Sequence, residues 1–237
     1  MQSPDEFVRL AAEALSPLGN ESRAAGMAAY MRGQFVYLGI ATPAHRAAIS
    51  PLIRAFQPGS SMELRQTVDA LWQKNEREYQ YAALGLLARR QALLTSADMP
   101  WLLELVQQKS WWDTVDSLAK TVGALVRRSG AKGRKQMDRA VLHKNFWVRR
   151  IAMLHQLGWR GETDTGRLFD YARLLAAEKE FFIRKAVGWA LRDYAWHNWR
   201  AIEAFLEAEG HLFSGLTRRE AARNIPALRL RPIKKRA

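Results

Sequence analysis

The chain is predicted to be all-α, a stack of helical repeats forming a solenoid. Three observations predict this. Apolar residues recur at three- and four-residue spacing along nearly all of the 237 residues, the period of an amphipathic helix. No run of alternating β-branched residues asks for a sheet. A helix motif also returns about every 35 residues, as stacked helical pairs require.

The apolar period predicts helices over Phe7–Leu15, Val68–Trp72, Tyr81–Leu94, Trp101–Val106, Val115–Val126, Val148–Leu157, Phe169–Leu175 and Phe182–Leu191. Turn material separates them: Pro17-Leu-Gly-Asn20, Gln57-Pro-Gly-Ser-Ser61, Ser129-Gly-Ala-Lys-Gly133 and Gly158-Trp-Arg-Gly-Glu-Thr-Asp164. Ser61, Asp98 and Thr163 are the expected N-caps. The strings beginning Glu78-Tyr-Gln-Tyr, Trp111-Trp-Asp-Thr, Phe146-Trp-Val-Arg and Phe181-Phe-Ile-Arg align with one another, and a further member is expected near Pro43. Each repeat adds a second helix, such as Asp98–Gln108 or Thr163–Leu175. That period suggests HEAT-like repeats, whose stacking creates a concave surface. One continuous domain over 1–227 is the economical reading, with 228–237 as a basic tail.

Composition narrows the chemistry. The chain has no Cys, which removes disulfides, zinc knuckles, iron–sulfur clusters and thiol nucleophiles together. The start, Met1-Gln-Ser-Pro-Asp-Glu6, has neither the basic nor the apolar region of a signal peptide. No apolar run reaches the roughly 18 residues of a membrane span. A cytoplasmic monomer without a cofactor is the expectation. The net charge is +14 and unevenly placed. Between Arg127 and Arg150 nine Lys or Arg stand against Asp138, and from Arg218 onward eight stand against Glu220. A localised basic surface on an otherwise balanced chain marks a polyanionic partner, nucleic acid first. The final stretch, Arg229-Leu-Arg-Pro-Ile-Lys-Lys-Arg236, reads either as an arm drawn to phosphate or as a solvated end.

The segment Ser110-Trp-Trp-Asp-Thr-Val-Asp116 sets two indoles beside two carboxylates. Trp112 and Asp116 share one helix face. An aromatic plane beside a carboxylate suits a cationic group held against a sugar or base. A buried Trp112 with a solvated Asp116 is the competing reading. At about 100° per residue from their repeat starts, Trp112, Asp116, Arg150 and Trp189 fall at roughly 100°, 140°, 40° and 80°. Lys185 and Arg192 extend the same side. Charges on this stripe would cost too much unpaired in a core, so it is expected to line the groove.

Several enzyme classes drop out. His45, His143, His155, His197 and His211 have no metal-ligand spacing. No Walker loop or Gly-x-Ser-x-Gly elbow is present, and Gly130-Ala-Lys-Gly133 reads better as a helix connector than as a phosphate turn.

Six strings resemble the HEAT-like bacterial DNA alkylation repair glycosylases, the AlkD family, over nearly the whole chain. They are Met27-Ala-Ala-Tyr-Met-Arg32, Phe35-Val-Tyr-Leu-Gly-Ile-Ala-Thr-Pro-Ala-His-Arg46, Lys109-Ser-Trp-Trp-Asp-Thr-Val-Asp116, Asn145-Phe-Trp-Val-Arg-Arg150, Lys179 through Tyr194 and Leu216-Thr-Arg-Arg-Glu-Ala-Ala222. The resemblance implies a monofunctional glycosylase acting on duplex DNA in base excision repair. Its substrates would be cationic 7-methylguanine and 3-methyladenine, taken without inserting the base into a pocket. It implies Asp116 as the catalytic carboxylate, Trp112 and Trp189 as sugar-cradling indoles and Arg150 as the functional arginine. Arg150 is expected to hold a backbone phosphate, and Arg149, Lys185 and Arg192 are expected around it as further phosphate contacts. Tyr30 matches a family tyrosine and reads equally as packing or as a DNA contact. The C-terminus is more basic than the family motif requires. A non-catalytic relative binding DNA of unusual structure, or a peptide-binding scaffold, is the alternative; the first should lack the Trp/Asp/Arg set and the second needs no basic groove.

Overall fold

The computed structural model describes residues 3–229; the expected tail lies outside the described residues from position 230 onward. The helices are α1 (Pro4–Leu15), α2 (Glu21–Tyr30), α3 (Thr42–Ala55), α4 (Ser61–Gln73), α5 (Arg77–Arg90), α6 (Met99–Val106), α7 (Trp112–Ala140), α8 (Phe146–Leu154), α9 (Thr165–Leu174), α10 (Phe181–Glu209), α11 (Gly215–Ala222) and α12 (Ile225–Arg229). Among the described residues, β pairing is confined to a single parallel bridge between Val36 and Glu76. This is the all-α helical-repeat fold the sequence predicts. Repeat starts expected at 78, 111, 146 and 181 fall at Arg77, Trp112, Phe146 and Phe181, and the member expected near Pro43 starts at Thr42.

Cap chemistry explains the small offsets. Ser60, not Ser61, caps α4, because Ser60 is the extended residue and its hydroxyl accepts from Glu63 N–H at 3.2 Å. Asp164, not Thr163, caps α9 and accepts from Arg167 N–H at 3.1 Å. Asp98 accepts from Thr95 N–H at 2.8 Å and ends the 3-10 turn Ser96–Asp98, which leads directly into α6. Asn145 caps α8 by accepting from Trp147 N–H at 2.8 Å.

The chain packs as two compact units that divide after Asp98, where the sequence reading has one continuous domain. In the first, α1 and α5 each pack on α3 and α4. Phe7, Phe56, Leu64, Leu71, Trp72 and Leu86 are fully buried there, and burial of each such side chain contributes roughly 1.5–3 kcal/mol. The Phe35–Arg46 string is fastened by buried Glu78, whose carboxylate accepts from the N–H groups of Leu38, Gly39 and Ile40 at 3.0, 2.9 and 3.1 Å.

The second unit stacks α7 on α8, α8 on α10 and α10 on α11. Two of its helices are helix pairs joined by a sharp kink. In α7 the kink is Gly130, at φ 57° and ψ −131°, a conformation closed to residues with a Cβ. The turn expected at Ser129–Gly133 is therefore present, compressed into one residue. In α10 the kink is Asn198, at φ −143° and ψ 80°. Its side chain recaps the helix by accepting from Ala201 N–H at 3.1 Å.

Candidate functional site

α7 opens with Trp112, so Asp116 lies one turn further along the same face. α8 lies against α7 and delivers Arg150 to that carboxylate. Arg150 Nε donates to Asp116 Oδ1 at 2.7 Å and Nη2 to Oδ2 at 2.9 Å, a two-pronged pair. Nη1 donates to the carbonyl of Phe182 at the start of α10. One guanidinium thus ties three helices together. From α10, Lys185, Trp189 and Arg192 project at helical spacing onto one face, and α11 adds Glu220. These side chains, with Phe181 and Phe182, line a cavity of about 410 Å³, a volume in the range of small-ligand sites.

The structure brings Trp112, Asp116, Arg150, Lys185, Trp189 and Arg192 together in this cavity. It also shows a depth that the helix positions alone do not. The Arg150 side chain is only 5% exposed, while that of Asp116 keeps 17%. Of this pair the cation is the deeper partner, so the carboxylate is the one that meets the cavity. A buried charge is tolerable when paired and hydrogen-bonded, and this pair meets both conditions. A carboxylate has about four lone-pair sites; Arg150 takes two and leaves the others for a ligand or water. Burial pushes the Asp116 carboxyl above its ordinary range, even though Arg150 pulls it down.

Trp111 parts from Trp112. It packs with Trp147 and Phe182 at ring-centroid distances of 5.9 and 5.2 Å, beside the Trp147–Phe182 pair at 4.9 Å. This aromatic block fixes the Phe182 turn that receives Arg150. Its cost is an indole Nε1 buried without a hydrogen-bond partner.

Arg149 does not line the cavity. Its Nη1 donates to the carbonyls of His143 and Lys144 at 2.7 and 2.9 Å, and Nε sits 2.7 Å from Glu178. Arg127 likewise meets Glu162 at 2.6 Å. Part of the basic stretch from Arg127 to Arg150 is therefore engaged internally. Tyr30 belongs to the first unit, where it is 74% exposed and lines that unit's own cavity with Met27, Tyr37 and Tyr81.

Glu220 is the site residue that sequence reasoning missed. Lys185 Nζ donates to its Oε2 at 2.6 Å and Arg192 Nη1 donates to Oε1. Burial pushes the Glu220 carboxyl up, but the two cations more than offset this and hold it below its ordinary range. The available signal was its position as the lone acid in the basic run from Arg218. Among the described residues, no three His, Asp or Glu side chains converge as metal ligands would, and no helix is long and apolar enough to cross a membrane.

Fold and cavity together define an all-α helical-repeat protein with a cation-lined, aromatic-walled site. Within that class the chain belongs to the DNA alkylation repair enzyme family, whose model matches residues 11–225. It is similar to the solved structure of a predicted DNA alkylation repair enzyme from Enterococcus faecalis, at 32% identity and a TM-score of 0.77, covering 86% of this chain and 95% of that one. No curated protein matches it.

Proposed function

We propose that this protein is a DNA glycosylase that excises cationic N-alkylated purines, 7-methylguanine and 3-methyladenine, from duplex DNA by hydrolysis of the N-glycosidic bond. The observation that carries this reading is Asp116, held by Arg150 at the wall of a cavity that also contains Trp112 and Trp189. Membership of the DNA alkylation repair enzyme family supports it.

The chemistry follows from the substrate's charge. The C1′–N bond breaks, its electron pair moves onto the purine, and the departing base becomes neutral. Positive charge passes to the deoxyribose. Asp116, oriented before the reaction by Arg150, stabilises that charge and positions the water. Water then adds at C1′ and releases a proton. The indole faces attract both the cationic nucleotide and the polarised sugar. A base that leaves as a neutral molecule needs no general acid, which fits a cavity with no His among its described lining residues. Lys185 and Arg192 are the cavity cations assigned to backbone phosphate, with Arg149 and the exposed Tyr30 as further DNA contacts outside it. Arg150, expected as a phosphate contact, instead directs three of its donors to Asp116 and Phe182 and acts by holding the carboxylate.

Duplex treated with a methylating agent should release free 7-methylguanine and 3-methyladenine on incubation with the protein, measured by chromatography. DNA that is bound but left intact would point instead to the non-catalytic alternative.

The pH profile carries a further prediction. Asp116 acts as an anion, and its folded pKa is raised, so a given acid pH leaves more of it protonated than an ordinary carboxylate. The acid limb of single-turnover base release should therefore lie above the roughly 3.9 of a free Asp, and Asp116→Asn should abolish the limb. A limb at or below the ordinary value would remove burial from the account of this site.

A further inference from the structure

Glu220 is placed by packing, not by chance exposure. α11 approaches α10 so closely at Gly188 that a Cβ there would lie 2.6 Å from Glu220 Cβ and 2.9 Å from the Thr217 carbonyl. Thr217 Oγ1 donates to the Arg184 carbonyl at 3.2 Å and locks the same contact. The lone acid of the basic C-terminal run is thereby turned into the cavity wall, with its side chain 10% exposed. There it binds both cations assigned to phosphate, one on each oxygen.

A cation that already faces a carboxylate releases less counterion when a phosphate arrives. Phosphate contacts position a protein on DNA but carry no information about a lesion. Two uncompensated cations in the cavity would thus strengthen binding to every undamaged duplex, and undamaged sites outnumber damaged ones overwhelmingly. We propose that Glu220 is a specificity-determining residue: it occupies Lys185 and Arg192 as an internal substitute for a backbone phosphate and so restrains binding of undamaged DNA. This rests on the DNA-binding part of the function proposed above.

The direction of the effect separates this role from a structural one. Glu220→Gln keeps the Cβ and Cγ that pack on Gly188 and removes only the charge. Its affinity for undamaged duplex, measured by fluorescence anisotropy over a salt series, should rise by about tenfold. The slope of log K against log salt should steepen by about one to two, since each phosphate contact contributes roughly 0.9. In a Lys185→Gln/Arg192→Gln background the same substitution should change neither quantity. Glu220→Asp, shorter by one methylene, should give a smaller gain and provides the reading if the Gln variant fails to fold. Unchanged or weaker binding, or a gain that persists without the two cations, would overturn the proposal. These measurements need no base release. A wild-type protein that excises nothing, with the affinity shifts intact, would sink the glycosylase reading alone. Normal excision with no shift would sink this one alone.

Discussion

Asp116→Asn is expected to slow release of 7-methylguanine by about 10²–10³ at saturating protein, the range for losing one preorganised electrostatic group, or about 2.7–4 kcal/mol. Asn keeps the shape of the side chain and can still meet Arg150 through its amide oxygen. It loses the charge that faces the developing cation. Duplex affinity should stay close to that of the wild type, because the loss falls on the transition state and leaves the phosphate contacts in place. Retention of more than about a tenth of the rate, under 1.4 kcal/mol, would show that Asp116 is not the stabiliser. Asp113 would be the next carboxylate to test.

Arg150→Ala is expected to damage both stability and chemistry. Breaking a buried pair by removing one partner typically costs about 3–5 kcal/mol. The partial exposure of Asp116 places this variant toward the lower end, and the loss of the bond to the Phe182 carbonyl adds to it. A chemical denaturation midpoint reads the stability. With its counter-charge gone, the carboxyl should rise further, so the acid limb of base release should move to higher pH. Arg150→Lys should recover part of the stability but little of the rate, because a single ammonium cannot reproduce the Nε and Nη2 contacts. Full recovery of rate by Lys would mean that charge alone, without the two-pronged geometry, holds Asp116.

The repeat period was legible because each first helix carries a wide apolar stripe, and four starts fall within one residue of their expected positions. α2 was not legible for the opposite reason: it buries no residue fully, so no stripe marks it. α11 is hidden similarly, since its buried positions are Thr217, Glu220 and Ala221, small or polar throughout. That is why Glu220 escaped notice while Lys185 and Arg192, on the strongly periodic α10, did not. Helix angles placed Arg150 on the cavity side but could not give its depth. Its depth depends on how closely α8 packs between α7 and α10, and that turns the residue toward Asp116. The divergence of Trp111 from Trp112 has a related origin. A single residue of register at the start of α7 sends one indole into the aromatic block and the other to the cavity.

On the proposed function, the site works only on a base already carrying positive charge. Matched duplexes containing one 7-methylguanine or one hypoxanthine, followed under single-turnover conditions from mildly acidic to alkaline pH, test it most directly. Release of 7-methylguanine should be faster by orders of magnitude and should rise with pH to a plateau as Asp116 ionises, with no second limb from a proton donor. Hypoxanthine gains nothing from Trp112 and Trp189 and has no charge to lose on departure. Comparable release of hypoxanthine, or a limb falling toward alkaline pH, would reveal a general acid in the cavity and contradict the assignment of Asp116 as a pure stabiliser of charge.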